Sequence, residues 1–176
     1  AVLNTIKDKT LSQADKKEER RSKIKSLISD RFDFEEMSQR SLARHWEPRT
    51  AEEKKEFVRL FSELLEESYV SKIESYTDEK INYDKEAIKA DGKYSVVSTE
   101  IKTKSVSIPI EYKLMLKADK WWVYDVTIEG VSFISTYREQ YNKIVMKESF
   151  ASLISKMKSK LQEIKTLEAK ETTVKK

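Results

Sequence analysis

Between Thr50 and Tyr76 the chain reads TAEEKKEFVRLFSELLEESYVSKIESY, and its apolar residues fall on one line. Phe57, Leu60, Phe61, Leu64, Leu65, Tyr69, Ile73 and Tyr76 keep i, i+3, i+4, i+7 spacing, with Glu, Lys and Arg between them. Thr50 followed by Glu53 is a capping box, so the stretch predicts one amphipathic helix of about 26 residues, roughly 39 Å long. Ahead of it, Ile24, Leu27, Ile28 and Phe32 keep the same spacing in a helix expected from Ala14. Asp33 with Glu36 predicts the cap of a further helix running through Met37 and Leu42 to Trp46, where Pro48 breaks the chain.

After Tyr76 the period drops from 3.6 to 2. EKINYDKEAIKA and KYSVVSTEIKT flank Asp91-Gly92, a hairpin signal. VSIPIEYKLMLKA places Ile108, Ile110, Tyr112, Leu114 and Leu116 on one face, and a turn at Asp119-Lys120 leads into WWVYDVTIE. Four consecutive antiparallel strands are expected, the last ended by Gly130. Ser132 then caps a helix bearing Phe133, Ile134, Tyr137, Tyr141, Ile144 and Val145. A final helix carries Phe150, Leu153, Ile154, Met157, Leu161 and Ile164. Helices, then a strand meander, then helices indicate an α+β fold, a curved antiparallel sheet packed against several helices. One domain over residues 1–176 is expected, with 1–13 and 166–176 frayed.

Composition narrows the function. Two Gly exclude a glycine-rich phosphate loop, and zero Cys excludes disulfides, thiolate catalysis and cysteine metal sites. With one His besides, a zinc or copper site has too few ligands, and no metal or cofactor is expected. The net charge of +4 comes from 35 basic and 31 acidic residues, interleaved as in DKKEERRSK. Nucleic-acid binding wants a one-signed stripe, so solvated helix faces are the better reading. No run of 18 apolar residues exists to span a bilayer. AVLNTIKDKT lacks the pattern of a signal peptide, as a mature exported chain also would.

Candidate chemistry is sparse. His45, beside Trp46 at a helix end, reads as structural. Asp125 and Glu129 fall on one strand face with Trp121, Val123 and Thr127 if alternation is strict. A carboxylate there suits a general base, while the plainer reading has one acid capping a helix and the other paired with a cation. What remains is apolar. Trp121 to Val145, WWVYDVTIEGVSFISTYREQYNKIV, is the densest aromatic and aliphatic stretch. A curved sheet over a long helix can close around such residues as plain core or leave a cavity rimmed by Tyr for an amphipathic guest.

The residues RFDFEEMSQRSLARHW, EEKKEFVRLFSELLEESYVSKIESY, IPIEYKL and WWVYDVTIEGVSFISTYREQYNKI, in that order, resemble the periplasmic phospholipid-binding proteins of the Mla lipid-transport system, the toluene-tolerance family. The likeness runs from about Asp15 to Leu161, and YDV-IEGVS followed by YR--Y is its most specific part. One departure is that TKSVSIP lacks the Gly of many relatives. The resemblance implies a mature periplasmic chain with a cystatin-like, nuclear-transport-factor-like fold and a lipid-sized apolar pocket. It implies a carrier, not an enzyme, that moves phospholipid between an outer-membrane lipoprotein–porin complex and an inner-membrane ABC transporter with a hexameric lipid-binding subunit, so maintaining outer-membrane lipid asymmetry.

The residues expected to line the pocket are Phe57, Leu60, Phe61, Leu64 and Tyr69 of the long helix; Ile101, Ile110, Tyr112, Val123, Tyr124 and Val126 of the sheet; and Val131, Phe133, Ile134 and Tyr137 after it. Arg138 is a candidate headgroup contact, or a surface ion pair. The competing readings are an isomerase or dehydratase on the same cone-shaped fold, with Asp125 as base in the cavity, and an adaptor with a closed interior.

Overall fold

Helix boundaries follow from local hydrogen bonding. The computed structural model describes residues 2–8, 10–11, 16–74, 80–89, 91–102 and 106–174. The helices are α1 (Val2–Ile6), α2 (Lys17–Ser29), α3 (Phe34–Leu42), α4 (Ala51–Glu74), α5 (Phe133–Lys147) and α6 (Phe150–Val174). The Asp33 carboxylate accepts from the Glu36 N–H at 3.0 Å and starts α3. The box before α4 is complete: the Glu53 N–H donates to Thr50 Oγ1 at 3.2 Å and the Thr50 N–H to Glu53 Oε2 at 2.9 Å. Ser132 Oγ accepts from the Ser135 N–H at 3.1 Å and starts α5.

Two helix boundaries differ from the sequence reading, and two lie outside the described residues. α3 stops at Leu42, where Ala43 takes φ 49° and ψ −122°, and a short 3₁₀ turn covers Ala43–His45. The expected start at Ala14 and the end of the long stripe at Tyr76 lie outside the described residues. α6 continues to Val174, through the tail expected to fray.

The strands β1 (Lys80–Ile88), β2 (Tyr94–Lys102), β3 (Ser107–Lys117), β4 (Lys120–Ile128) and β5 (Val131–Ser132) form one open, curved antiparallel meander in the order β1-β2-β3-β4-β5. The fifth strand, unforeseen, is a two-residue return. Its turn, Glu129 at φ 49° and Gly130 at φ 82°, is tight enough for Val131 to pair back onto Ile128. The β3–β4 turn is Ala118-Asp119, one residue earlier than expected, and both take positive φ as a type I′ hairpin requires. Of the stretch TKSVSIP, residues 103–105 lie outside the described set and Ser107, Ile108 and Pro109 begin β3.

A bulge decides which β4 residues face inward. Leu114 pairs with Val123 but Lys113 with Asp125, so Tyr124 is the extra residue. Strict alternation would put Val123 on the face of Asp125; instead Val123 packs with Ile101, Ile110 and Val126. Its backbone also ties the sheet to the end of α2: the Asp33 N–H donates to the Val123 carbonyl, and the Val123 N–H to the Arg31 carbonyl, both at 2.9 Å.

Two apolar clusters result. One fills the space between α3, α4, α5 and α6, centred on Phe57, Phe61, Leu60, Met37 and Leu153. The other is the inner face of the sheet. Phe32 and Phe133 touch both. Helix α2 contributes little apolar area and is clamped onto α4 by a polar seam. Arg21 Nε donates to Glu74 Oε2 at 2.8 Å, Lys25 Nζ to Glu67 Oε1 at 2.7 Å and Ser29 Oγ to Glu66 Oε1 at 3.1 Å.

Candidate functional site

Where the two clusters fail to meet, a cavity of about 370 Å³ remains, of the order of a ligand pocket. Helices α2, α3, α4 and α5 and strands β2, β3 and β4 wall it. Leu65, Tyr69 and Ile73 come from the second half of α4, at the i, i+4, i+8 positions of its apolar stripe. Ile108, Ile110 and Tyr112 alternate along β3. Ile101 is the β2 register partner of Ile108, while Ile128 and Val126 are the β4 partners of Ile110 and Tyr112. Ile28, Phe32, Phe34 and Met37 close it from the α2–α3 side, and Phe133 from the start of α5.

Among the described residues only Glu66, Lys72 and Glu129 bring charge to this lining. Glu66 is the informative one. Its Oε1 accepts from Ser29, and burial in the apolar wall raises its carboxyl above the ordinary value, the largest effect acting on it. Burial likewise raises the Tyr69 phenol. The Lys72 ammonium stands 5.4 Å from the Tyr69 ring centre, a cation–π distance.

Of the expected pocket residues, Tyr69, Ile101, Ile110, Tyr112, Val126 and Phe133 line this cavity. Val131 and Tyr137 do not; with Tyr69 and Phe133 they line an adjoining groove. Phe57, Leu60, Phe61, Leu64 and Ile134 belong instead to the helical core, because the first half of α4 meets α5 and α6 rather than the sheet. Phe57 and Phe61 are fully buried there, packed edge-on against Tyr141. Val123 sits in the sheet cluster without lining the cavity. Tyr124, displaced by the bulge, turns to Tyr94 and lies under the Arg40 guanidinium at 4.2 Å.

Several wall residues went unselected. Leu65 and Ile73 share the stripe of Tyr69, and Ile108 shares the strand face of Ile110, so extending either period would have found them. Ile28, Phe32, Phe34 and Met37 carry no such signal, since only the fold of α2 and α3 over the sheet brings them in.

The alternative chemistry loses its base. Asp125 is 3% exposed and is absent from the cavity lining. Its carboxylate accepts from Lys113 Nζ at 2.9 Å, Ser132 Oγ at 2.7 Å and the Ile134 N–H at 3.1 Å. It therefore caps α5 and pairs with a cation at once, which combines the two structural roles divided between Asp125 and Glu129. His45 Nε2 lies 2.9 Å from Asn142 Oδ1, which also accepts from Arg44. Arg138 donates to the Arg40 carbonyl at 3.0 Å, and neither His45 nor Arg138 reaches the cavity. Among the described residues no group of His, Asp and Glu could hold a metal ion, and no helix is long and apolar enough to cross a membrane.

A cavity walled almost wholly by carbon can take an apolar chain. Comparison with known proteins gives this geometry its context. The family model described as MlaC protein matches residues 1–159. The intermembrane phospholipid transport system binding protein MlaC of Haemophilus influenzae is 26% identical over 120 residues, which are 66% of this chain and 56% of that relative. The match thus spans little more than half of the relative's length. Among solved structures, the phospholipid-binding protein from Ralstonia solanacearum in complex with a phospholipid superposes with a TM-score of 0.80 at 23% identity, covering 93% of this chain and 92% of that one. That likeness shows a shared fold, and the family match over residues 1–159 settles the assignment: the chain belongs to the MlaC family.

Proposed function

We propose that the chain binds phospholipid by its acyl tails in the cavity between α2, α3, α4 and the sheet. It carries that lipid across the periplasm as the soluble member of an intermembrane phospholipid transport system. One observation supports this above the rest: in a chain of the MlaC family, a cavity of about 370 Å³ is bounded by Ile, Phe, Leu, Met, Val and Tyr, with Glu66, Lys72 and Glu129 as the only charges among the described residues. The binding named for the Haemophilus and Ralstonia relatives points the same way.

The energetics suit a carrier. Burying one methylene is worth about 0.8 kcal/mol, so a 16-carbon tail left in water costs on the order of 12 kcal/mol. Such a tail crosses an aqueous space only if the protein covers it. A bilayer covers it equally well, so the cavity by itself sets no direction. Direction comes from partners that favour the loaded or the empty form. In this reading they are the outer-membrane lipoprotein–porin complex and the inner-membrane ABC transporter with its hexameric lipid-binding subunit, and the net effect is maintenance of outer-membrane lipid asymmetry. The site residues are those of the cavity wall, and no catalytic step or cofactor is part of the mechanism.

Native mass spectrometry of the chain purified from a bacterial periplasm, followed by solvent extraction, tests the reading. The expected result is an added mass matching a phospholipid, released on denaturation. A bare 20.7 kDa species that also fails to take up phospholipid from vesicles would overturn it.

A further inference from the structure

The cavity does not end at its apolar wall. A second recess of about 260 Å³ adjoins it and shares Tyr69, Ile128 and Phe133 with it. The rings of Tyr69 and Phe133 stack with centres 4.7 Å apart and planes 26° apart, forming the partition between the two spaces. On the cavity side the described lining is carbon apart from Glu66, Lys72 and Glu129, with the Lys72 ammonium 5.4 Å from the Tyr69 ring centre. On the other side α5 adds Thr136, Tyr137 and Gln140, and among the described residues no charged side chain lines this recess.

Its polar groups are neutral, and the Thr136 hydroxyl is already committed to the Ser132 carbonyl at 2.8 Å. Among the described residues no group takes the hydroxyl of Tyr69 or Tyr137 in a hydrogen bond. Burial pushes the Tyr137 phenol up to about 12, with Tyr69 close enough to add to the effect, and raises Tyr69 as well. Both therefore stay protonated donors at any physiological pH. Gln140, exposed at the lip, adds an amide N–H₂.

An apolar cavity joined across one aromatic pair to a recess of uncharged donors has the polarity profile of a lipid. We propose that this recess holds the acceptor-rich end of the carried molecule, its phosphate and ester oxygens, through the hydroxyls of Tyr69 and Tyr137 and the amide of Gln140. This rests on the carrier reading above and assigns the polar end of that ligand to a site. The consequence is selection for a phosphoester without selection for headgroup charge, because neutral donors meet the phosphate common to all phospholipids and nothing here answers to the substituent beyond it.

The test compares Tyr69→Phe, Tyr137→Phe and Gln140→Ala with the parent chain. Binding is measured to phosphatidylglycerol and phosphatidylcholine in vesicles, and to hexadecanol, which offers a chain without a phosphate. The tyrosine changes keep the rings and hence the partition, and thermal melting checks that each variant folds. The expected result is similar affinity of the parent for both phospholipids, a roughly tenfold loss for each tyrosine variant on both, and unchanged hexadecanol binding. Variants that bind phospholipid as the parent does, or that lose phospholipid and hexadecanol equally, overturn the assignment while leaving the carrier reading in place. A parent chain that binds neither phospholipid overturns the carrier reading itself.

Discussion

The Asp125 carboxylate accepts a hydrogen bond from the Ile134 backbone N–H at 3.1 Å, which ties β4 to the first turn of α5. The same carboxylate holds Ser132 and Lys113, so one buried side chain fixes the angle at which α5 leaves the sheet and hence where Phe133 stands on the cavity wall. Replacing it with Ala strands two neutral donors and one cation. Asp125→Ala should cost about 2–3 kcal/mol in urea unfolding. Asp125→Asn keeps the shape and part of the hydrogen bonding, and should retain phospholipid uptake. Loss of uptake in a fully folded Asp125→Asn chain would return the carboxylate to the functional site.

The two halves of α4 should respond differently to substitution. Phe57 is fully buried among Phe61, Tyr141 and Phe150, so Phe57→Ala should destabilise by about 3–5 kcal/mol. Val126 lines the cavity, where a larger side chain has room. Val126→Trp should leave the melting temperature near that of the parent and reduce phospholipid uptake by filling the space. If it unfolds the chain instead, the cavity is not open to larger groups in solution.

Glu66 makes stability depend on pH with a definite sign. Burial raises its carboxyl in the folded chain, so between the unfolded value and the raised folded value the native state binds more protons than the unfolded one. The stabilising preference for the protonated form is full below the unfolded carboxylate range and is lost as pH rises through the folded value. Glu66→Gln, which cannot ionise, should melt higher than the parent at about pH 7, and the two should converge near about pH 4. Parallel melting curves across that range would show that Glu66 is fully solvated.

The seam between α2 and α4 turns on Glu74, which pairs with Arg20 at 3.0 Å and Arg21 at 2.8 Å while itself nearly buried. Glu74→Ala leaves two guanidiniums facing a gap and should cost about 3 kcal/mol. Because α2 has little apolar anchoring, the loss should be local. Hydrogen exchange is expected to quicken in α2 far more than in the first half of α4. Uniform quickening throughout would mean that α2 is part of the same cooperative unit as the core.

The division between what was legible in the chain and what was not follows from the range of the forces. Caps and periods are local. Asp33, Thr50 with Glu53, and Ser132 each act within three residues, so the helix starts could be read directly, and alternation along β3 identified Ile108, Ile110 and Tyr112 as one face. The order of helices, meander and helices was likewise enough for the α+β class, and the family motifs lie in the sequence itself. The tertiary structure decided everything that depends on two elements meeting. Periodicity marks Phe57 and Tyr69 alike as one stripe, yet the first half of α4 is covered by α5 and α6 and becomes core, while the second half faces the sheet across a gap and becomes cavity wall. The bulge at Tyr124 carried Val123 to the inner face, because an extra residue in one strand is set by its partner's register and leaves no mark on composition. Ile28 joined the wall because a polar seam folds α2 back over α4, and Phe32, Phe34 and Met37 because the Val123 backbone pins the α2–α3 junction to the sheet. Apolar burial is non-directional: the chain shows which residues leave water, and only the packing shows whether they meet each other or surround a space.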